Sequence, residues 1–184
     1  MVIKKSKKEI IRAIRDSQVG VEKYIELMDI FRSRNISKDL DFRRRFNHFY
    51  RMMKRSQEFY NDYFYYLEKN KNSNIRFFDV ISHFEKKFNR MEPSFSSKLI
   101  ATINPNFAIW DKFVLRNLGL TAPPYNCFNR KNLICDIYKE INKKINAIVK
   151  SPDGKTWLRL FDEIFPSTNI TDIKKIDFIL WKLR

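Results

Sequence analysis

Two charged residues, Lys98 and Asp111, stand near the starts of consecutive segments in the stretch SFSSKLIATINPNFAIWDKFVLRNLGL, residues 94–120. The amine of a lysine can attack an electron-poor carbon and form an imine, and a carboxylate can stabilise positive charge or accept a proton. An Asp at a helix start also has a purely structural use, because its side chain caps backbone N–H groups and interacts favourably with the helix dipole. The sequence leaves both interpretations open.

The segments that carry these two residues have clear helix signals. The pattern EPSFSSKLIATI predicts a helix that is entered through Pro93 and capped by Ser94 or Ser96. The free N–H groups of its first turn would suit a phosphate anion. The Asn-Pro pair at 104–105 ends this helix, since a residue before proline is disfavoured in the helical region. The next helix is expected to begin at Asp111.

Apolar residues recur at helical spacing along almost the whole chain. Only three glycines and six prolines are present, too few for the many tight turns of a β-sandwich or barrel. The sequence therefore predicts an all-α fold, in which SPDGK at 151–155 forms a turn. The other expected helices are 6–17 and 20–34 divided at Gly20, one from the N-cap Ser37, 57–70, 75–90, 129–150, one around Trp157 that ends before Pro166, and 171–181.

Net charge gives the strongest indication of a partner. The chain has 37 Lys and Arg against 21 Asp and Glu, a formal charge of +16. Such an excess repels itself in a compact protein unless a polyanion neutralises it, so DNA is the expected partner, ahead of a merely soluble basic surface. A membrane surface is not expected, because the basic residues do not concentrate on one amphipathic anchor. Protein partners stay open.

Several classes of site are excluded because the sequence motifs that would form them are absent. Phosphate-binding, dinucleotide-binding and esterase motifs are absent, and Cys127 and Cys135 are too few for an iron–sulfur or Cys₄ zinc site. His48 and His83 stand thirty-five residues apart and are expected to be solvated or to lie at the edge of the core, not to bind metal. No cofactor and no metal are expected. With no signal peptide and no long apolar run, we expect a cytoplasmic protein.

Taken together, the segments around Lys98 and Asp111 resemble the helix-hairpin-helix DNA glycosylase superfamily, and within it a small bacterial group related to the 8-oxoguanine DNA glycosylase fold. Lys98 matches the lysine on the helix that follows the hairpin. The phrase IWDKFVLR matches the next helix, with Asp111 as the aspartate, Val114 as the apolar partner and Arg116 as the basic residue. The closing DIKKIDFILWKLR resembles the terminal helix of that group. The upstream helices agree in order with its bundle, so the resemblance covers residues 37–184.

The resemblance implies one all-α domain over residues 1–184, with two lobes and a cleft between them. One lobe would comprise mainly 37–120, and the other the N-terminal helices together with 125–184. The hairpin of active glycosylases is rich in glycine, whereas this chain has RMEPSFSS at the corresponding place. Serine hydroxyls would then replace some of the backbone contacts to phosphate.

The resemblance also implies a chemistry, excision of a damaged base from DNA with associated lyase activity. Lys98 would be the nucleophile that attacks the anomeric carbon, and Asp111 would stabilise the charge that develops on the sugar. The implied DNA contacts are Ser94, Ser96, Ser97 and Arg116. The candidates for stacking on the base, which could equally be core residues, are Trp110, Tyr125, Phe128 and Trp157.

Two other functions stay open on the sequence. The protein could be a non-catalytic DNA-binding or protein-interaction module that kept this fold and lost the chemistry. A weaker alternative is a basic helical component of a nuclease or defence assembly whose active site belongs to another chain.

Overall fold

The computed structural model describes residues 5–183, which form ten α-helices and no strand. The all-α fold predicted from the sequence is therefore confirmed for this part of the chain. In chain order the helices are α1 Lys7–Arg15, α2 Gln18–Ser33, α3 Leu40–Tyr50, α4 Gln57–Lys69, α5 Phe77–Phe88, α6 Pro93–Ile103, α7 Lys112–Asn117, α8 Arg130–Lys150, α9 Pro152–Ile164 and α10 Asp172–Lys182.

Short polar side chains begin many of these helices, as expected from their ability to accept bonds from first-turn N–H groups. Ser6 caps α1 in a reciprocal capping box with Glu9, and Ser56 caps α4. Two predicted caps were wrong. Asp39, not Ser37, caps α3, because the hydroxyl of Ser37 bonds instead to Asn35. Glu92, not Ser94 or Ser96, is the N-cap residue of α6, since the helix already begins at Pro93.

Two glycines also have positions that differ from the sequence prediction. Gly20 lies inside α2 and does not divide two helices, since the break falls between Arg15 and Gln18. The SPDGK segment starts α9: Ser151 caps the helix and accepts a bond from the N–H of Gly154 at 3.0 Å. A Cβ on Gly154 would stand 1.8 Å from the carbonyl oxygen of Ile148, so the glycine is needed for close approach of the backbone.

The chain divides into two compact units, residues 5–19 with 105–183, called unit 1, and residues 20–104, called unit 2. In unit 1 the last helix, α10, packs against α1, α7, α8 and α9. All eight residues from 173 to 180 are buried, which identifies α10 as the central helix of this unit.

The core of unit 2 is built largely from aromatic rings. Phe46 contacts Phe42, Tyr63 and Phe64, with ring centroids 5.4–5.8 Å apart, and Tyr63 lies parallel to Phe84 at 5.8 Å. These separations are typical of favourable aromatic pairs. The buried hydroxyl of Tyr63 donates to the carbonyl of Phe95 at 3.1 Å, which ties α4 to α6.

The boundaries of the two units differ from those of the predicted lobes. Residues 105–120, expected in the lobe of 37–120, belong to unit 1, and most of α2 belongs to unit 2. The reason for the first difference is a set of hydrogen bonds from α8 and α10 to the segment 105–111, described below. No helix within residues 5–183 combines the length and the apolar character needed to cross a membrane.

Candidate functional site

The helix that carries Lys98, α6, begins at a left-handed residue. Glu92 has φ 50° and precedes Pro93, the first helical residue. A non-glycine residue in this region is strained, and here two arginines hold it: Arg55 binds the Glu92 carboxylate with two bonds of 2.9 Å, and Arg90 adds one of 2.6 Å. The start of α6 is therefore fixed within unit 2 by side-chain ion pairs.

The three serines predicted to contact DNA lie in the first turns of α6 and differ in exposure. Ser96 and Ser97 are fully buried, and their hydroxyls donate to the carbonyls of Met91 at 3.4 Å and Ser94 at 2.9 Å. Ser94 is half-buried. Of the three, Ser94 thus keeps a side chain that solvent or a phosphate can reach.

Lys98 is buried on the same helix, with 7% of its surface exposed. Its ammonium nitrogen lies 5.2 Å from the centroid of the Phe95 ring, and the guanidinium of Arg55 lies 4.9 Å from the same centroid. Cations are attracted to the face of an aromatic ring, so Phe95 helps to accommodate both charges. Buried lysines are uncommon in proteins, and this one stands in a helix whose neighbouring side chains are apolar or hydroxylic.

The segment that leads to Asp111 is held by side chains of unit 1. Thr171 donates to the carbonyl of Pro105 at 2.7 Å, and Tyr138 donates to the carbonyl of Ala108 at 2.9 Å. The amide oxygen of Asn142 accepts from the N–H of Ala108 at 2.9 Å. Because these bonds satisfy the backbone of an irregular segment, they fix the path of the chain into α7.

Asp111 is the N-cap of α7. Its carboxylate accepts from the N–H of Phe113 at 2.8 Å, and its side chain is half-buried. The structural interpretation of this aspartate is therefore confirmed. A carboxylate has two oxygens and accepts several bonds, so capping leaves room for a further role.

Next to Asp111 in unit 1 lies a buried ion pair that the sequence analysis missed. Lys174 donates to Asp177 at 3.2 Å, and the side chain of each is 5% exposed. The second oxygen of Asp177 accepts from the N–H of Ile109 at 3.4 Å. Burial raises the pKa of Asp177; Lys174 opposes this effect, and the nearby charge of Asp111 adds to it. The signal was available in DIKKIDFILW, where charges three residues apart interrupt an otherwise apolar helix.

Arg116, the fourth predicted DNA contact, is exposed in the last turn of α7. Its guanidinium lies 5.5 Å from the centroid of the Phe113 ring, and the ammonium of Lys112 lies 4.8 Å from that centroid. This end of unit 1 therefore presents two accessible cations around one aromatic ring, an arrangement that suits a phosphate-bearing partner.

The four aromatic residues predicted to stack on a base fall into two pairs. Trp110 and Trp157 are 5% and 6% exposed and form part of the core. Tyr125 and Phe128 are 88% and 87% exposed in the segment between α7 and α8. Only the second pair offers ring faces to a partner in solution.

The two histidines have the surroundings expected of them. His48 is exposed, and His83 is half-buried, with its Nε2 2.5 Å from a carboxylate oxygen of Asp62 and its ring stacked on Tyr66 at 3.8 Å. Lys87 binds the other oxygen of Asp62. Within residues 5–183 no group of three or more His, Cys, Asp or Glu side chains is placed to hold a metal ion.

Comparisons of the chain with protein-family models, with curated proteins and with solved structures found no match.

Proposed function

We propose that this protein binds DNA and excises a damaged base by means of Lys98 and Asp111, with the two-lobed arrangement of the helix-hairpin-helix glycosylases. The observation that carries the proposal is the burial of Lys98 on α6, a helix whose start is held by Arg55 and Arg90 in place of the family's glycines. The charge of +16 supports a polyanionic partner.

The proposed reaction begins when the damaged nucleotide leaves the base stack. The ammonium of Lys98 first gives up a proton to solvent, and the resulting amine attacks the anomeric carbon of the sugar. The bond from that carbon to the base nitrogen breaks, so the base departs with the bonding electrons and takes up a proton from solvent. Asp111 stabilises the positive charge on the sugar and receives the proton that the attacking amine gives up. Opening of the sugar ring then gives an imine, which acidifies the protons on C2′. Loss of one of these protons to solvent forms a double bond between C2′ and C3′, and the C3′–O bond breaks, so the 3′ phosphate leaves with the bonding electrons and the strand is cut.

The test of this proposal is reduction of the imine. Borohydride should link the wild-type protein covalently to DNA that contains a damaged base or an abasic site, because it reduces the imine to a stable amine. Lys98→Met should lose the adduct, whereas Lys86→Met, which removes an exposed lysine of α5, should keep it. Both variants remove one positive charge and should bind DNA almost equally well.

If the adduct persists in Lys98→Met, it must form on other amines of the protein, which also trap abasic sites, and the proposed chemistry would be contradicted.

DNA binding is measured separately as the dependence of affinity on salt. If about six phosphates are neutralised, log affinity should fall against log salt with a slope of about −5. A slope near zero, or no binding at low salt, would contradict the proposed partner itself.

A second candidate is a DNA-binding module without catalysis. It is favoured by the structural uses of the predicted site residues, since Asp111 caps α7 and the hydroxyls of Ser96 and Ser97 donate to backbone carbonyls of Met91 and Ser94. This candidate predicts the same salt dependence, no Lys98-dependent adduct and no base release. The borohydride experiment therefore separates the two functions.

A further inference from the structure

The segment between α7 and α8 contains the two most exposed large apolar side chains of the described residues, Tyr125 at 88% and Phe128 at 87%. Burying an aromatic ring is strongly favourable, so a folded chain usually covers at least part of each ring. Both rings stand in one short turn region, three residues apart. A binding partner that covers the two rings would explain this exposure.

The turn that carries the rings is ordered from within. The N–H of Cys127 donates to the carbonyl of Pro124 at 3.4 Å, and the guanidinium of Arg130 donates to the same carbonyl at 3.1 Å. Pro123 and Pro124 restrict the backbone just before Tyr125. Rings held on a stiff turn lose less conformational freedom when they bind, which favours a specific contact.

The charge of the surrounding chain indicates the chemistry of the occupant. Residues 112–135 contain four basic residues and no acidic one. Arg130 lies with its guanidinium carbon 4.6 Å from the centroid of the Tyr125 ring, so one face of that ring has a cation against it. Because Tyr125 is nevertheless 88% exposed, its other face is open. Aromatic faces beside cations match a ligand that has both flat rings and negative charge. The four basic residues are Lys112, Arg116, Arg130 and Lys131.

We propose that Tyr125 and Phe128, with Arg130 against the Tyr125 ring, form a stacking surface for unpaired DNA bases. Every base has a face that can stack on an aromatic ring, and the positive charges of Arg116, Arg130 and Lys131 in the same stretch of chain would attract the adjoining phosphates. The inference rests on the proposed DNA binding and adds a preference to it: single-stranded or locally opened DNA should bind more tightly than intact duplex. Paired bases are stacked on each other and cannot cover these rings.

The test compares two strands with equal charge. One is a labelled thymidine oligonucleotide of about twelve nucleotides, and the other is an abasic strand with the same number of phosphates, both measured by fluorescence anisotropy. The wild-type protein should bind the thymidine strand roughly tenfold more tightly than the abasic strand. The double variant Tyr125→Ala/Phe128→Ala should lose this difference through weaker binding of the thymidine strand, with unchanged binding of the abasic strand.

A matched control is available in unit 2, where Tyr65 and Phe78 are also exposed, at 59% and 43%. The variant Tyr65→Ala/Phe78→Ala removes the same two ring types and should bind both strands as the wild type does. Since Tyr125 and Phe128 are almost fully exposed, their removal should leave the thermal unfolding of the protein unchanged.

Three outcomes would overturn the inference. The double variant could keep the preference for the thymidine strand, or it could weaken both strands equally. The double variant could also abolish self-association of the free protein in sedimentation while DNA binding stays unaltered, which would assign the rings to contact with a second copy of the chain.

Failure of this inference can be told from failure of the proposed function. If the double variant binds both strands as the wild type does while the Lys98-dependent adduct forms, only this inference fails. If the wild type binds no DNA at all, the proposed function fails with it.

Discussion

Helices α6 and α10 both bury lysine, but they surround it with different chemistry. In α10, Lys174 donates to Asp177 on the next turn of the same helix, at 3.2 Å. In α6, the ammonium of Lys98 lies over the ring of Phe95 at 5.2 Å. A carboxylate holds an ammonium in a charge-assisted hydrogen bond, whereas an aromatic face attracts it through a weaker electrostatic contact. Lys174 thus belongs to a buried ion pair on its own helix, and Lys98 is the buried lysine for which we propose chemistry.

The comparison also shows how each unit places its candidate residue. In unit 1 the ion pair of α10 is part of the scaffold, because Asp177 also binds the backbone N–H of Ile109, two residues before Asp111. In unit 2 the scaffold is the ion pair of Arg55 with Glu92, which fixes the start of the helix five residues before Lys98. In each unit, therefore, a charged side chain fixes the backbone a few residues before the candidate residue.

The largest effect is expected from breaking the buried pair. Asp177→Ala leaves the Lys174 charge buried without its carboxylate and removes the acceptor of the Ile109 N–H, so the free energy of unfolding should fall by about 3–5 kcal/mol. Urea denaturation of the variant measures the loss. The double variant Lys174→Met/Asp177→Leu should recover most of it, because similar volume is buried without charge. A single variant with stability within about 1 kcal/mol of the wild type would contradict the structural role of this pair.

Replacement of Lys98 should change stability much less. Lys98→Met gives up the contact with Phe95, worth about 0.5–2 kcal/mol, but it also removes a charge that must be desolvated on folding. The free energy of unfolding should stay within about 1.5 kcal/mol of the wild type, while the borohydride adduct disappears. If Lys98→Met destabilised the protein as strongly as Asp177→Ala, both lysines would have to be assigned a structural role.

A smaller effect on stability is expected at Asp111. Asn is as good an N-cap as Asp, so Asp111→Asn should lower the free energy of unfolding by less than about 1 kcal/mol. Asp111→Ala removes the acceptor of the Phe113 N–H and should cost about 1 kcal/mol. Base release should be lost in both variants if the carboxylate acts on the sugar. An Asn variant with full base release would assign Asp111 to capping alone.

The smallest effect concerns pH. The pKa of Asp177 is raised in the folded protein above the ordinary value of 3.8, first by burial, so the folded state binds this proton more tightly than the unfolded state. The stability that this carboxyl contributes is therefore complete below about pH 3.8 and falls as pH rises through the folded pKa. Relative to Asp177→Asn, whose amide does not titrate, the wild type should lose free energy of unfolding as the pH rises from about 3.8 through the pKa of Asp177 in the folded protein. Thermal unfolding of both proteins across this range measures the difference, and parallel curves would contradict the raised pKa.

Much of the local structure follows from the sequence alone. Apolar residues at helical spacing, few glycines and short polar side chains before helix starts were sufficient to predict an all-α chain and most of its helices. The cap at Asp111 and the helix end at Asn104 were also correct, because capping and the effect of a following proline depend on neighbours within a few residues. Errors such as Ser37 arose where two nearby side chains could serve one helix start.

What only the tertiary structure decided is which side chains are buried and what they meet there. The spacing of aromatic residues could not separate Trp110 and Trp157, which are core, from Tyr125 and Phe128, which are exposed. The pairing of Lys174 with Asp177 was likewise hidden, since charges on a helix usually face solvent. Burial results from the packing of segments far apart in the chain, here α1, α7, α8 and α9 around α10, and a local pattern does not contain that information.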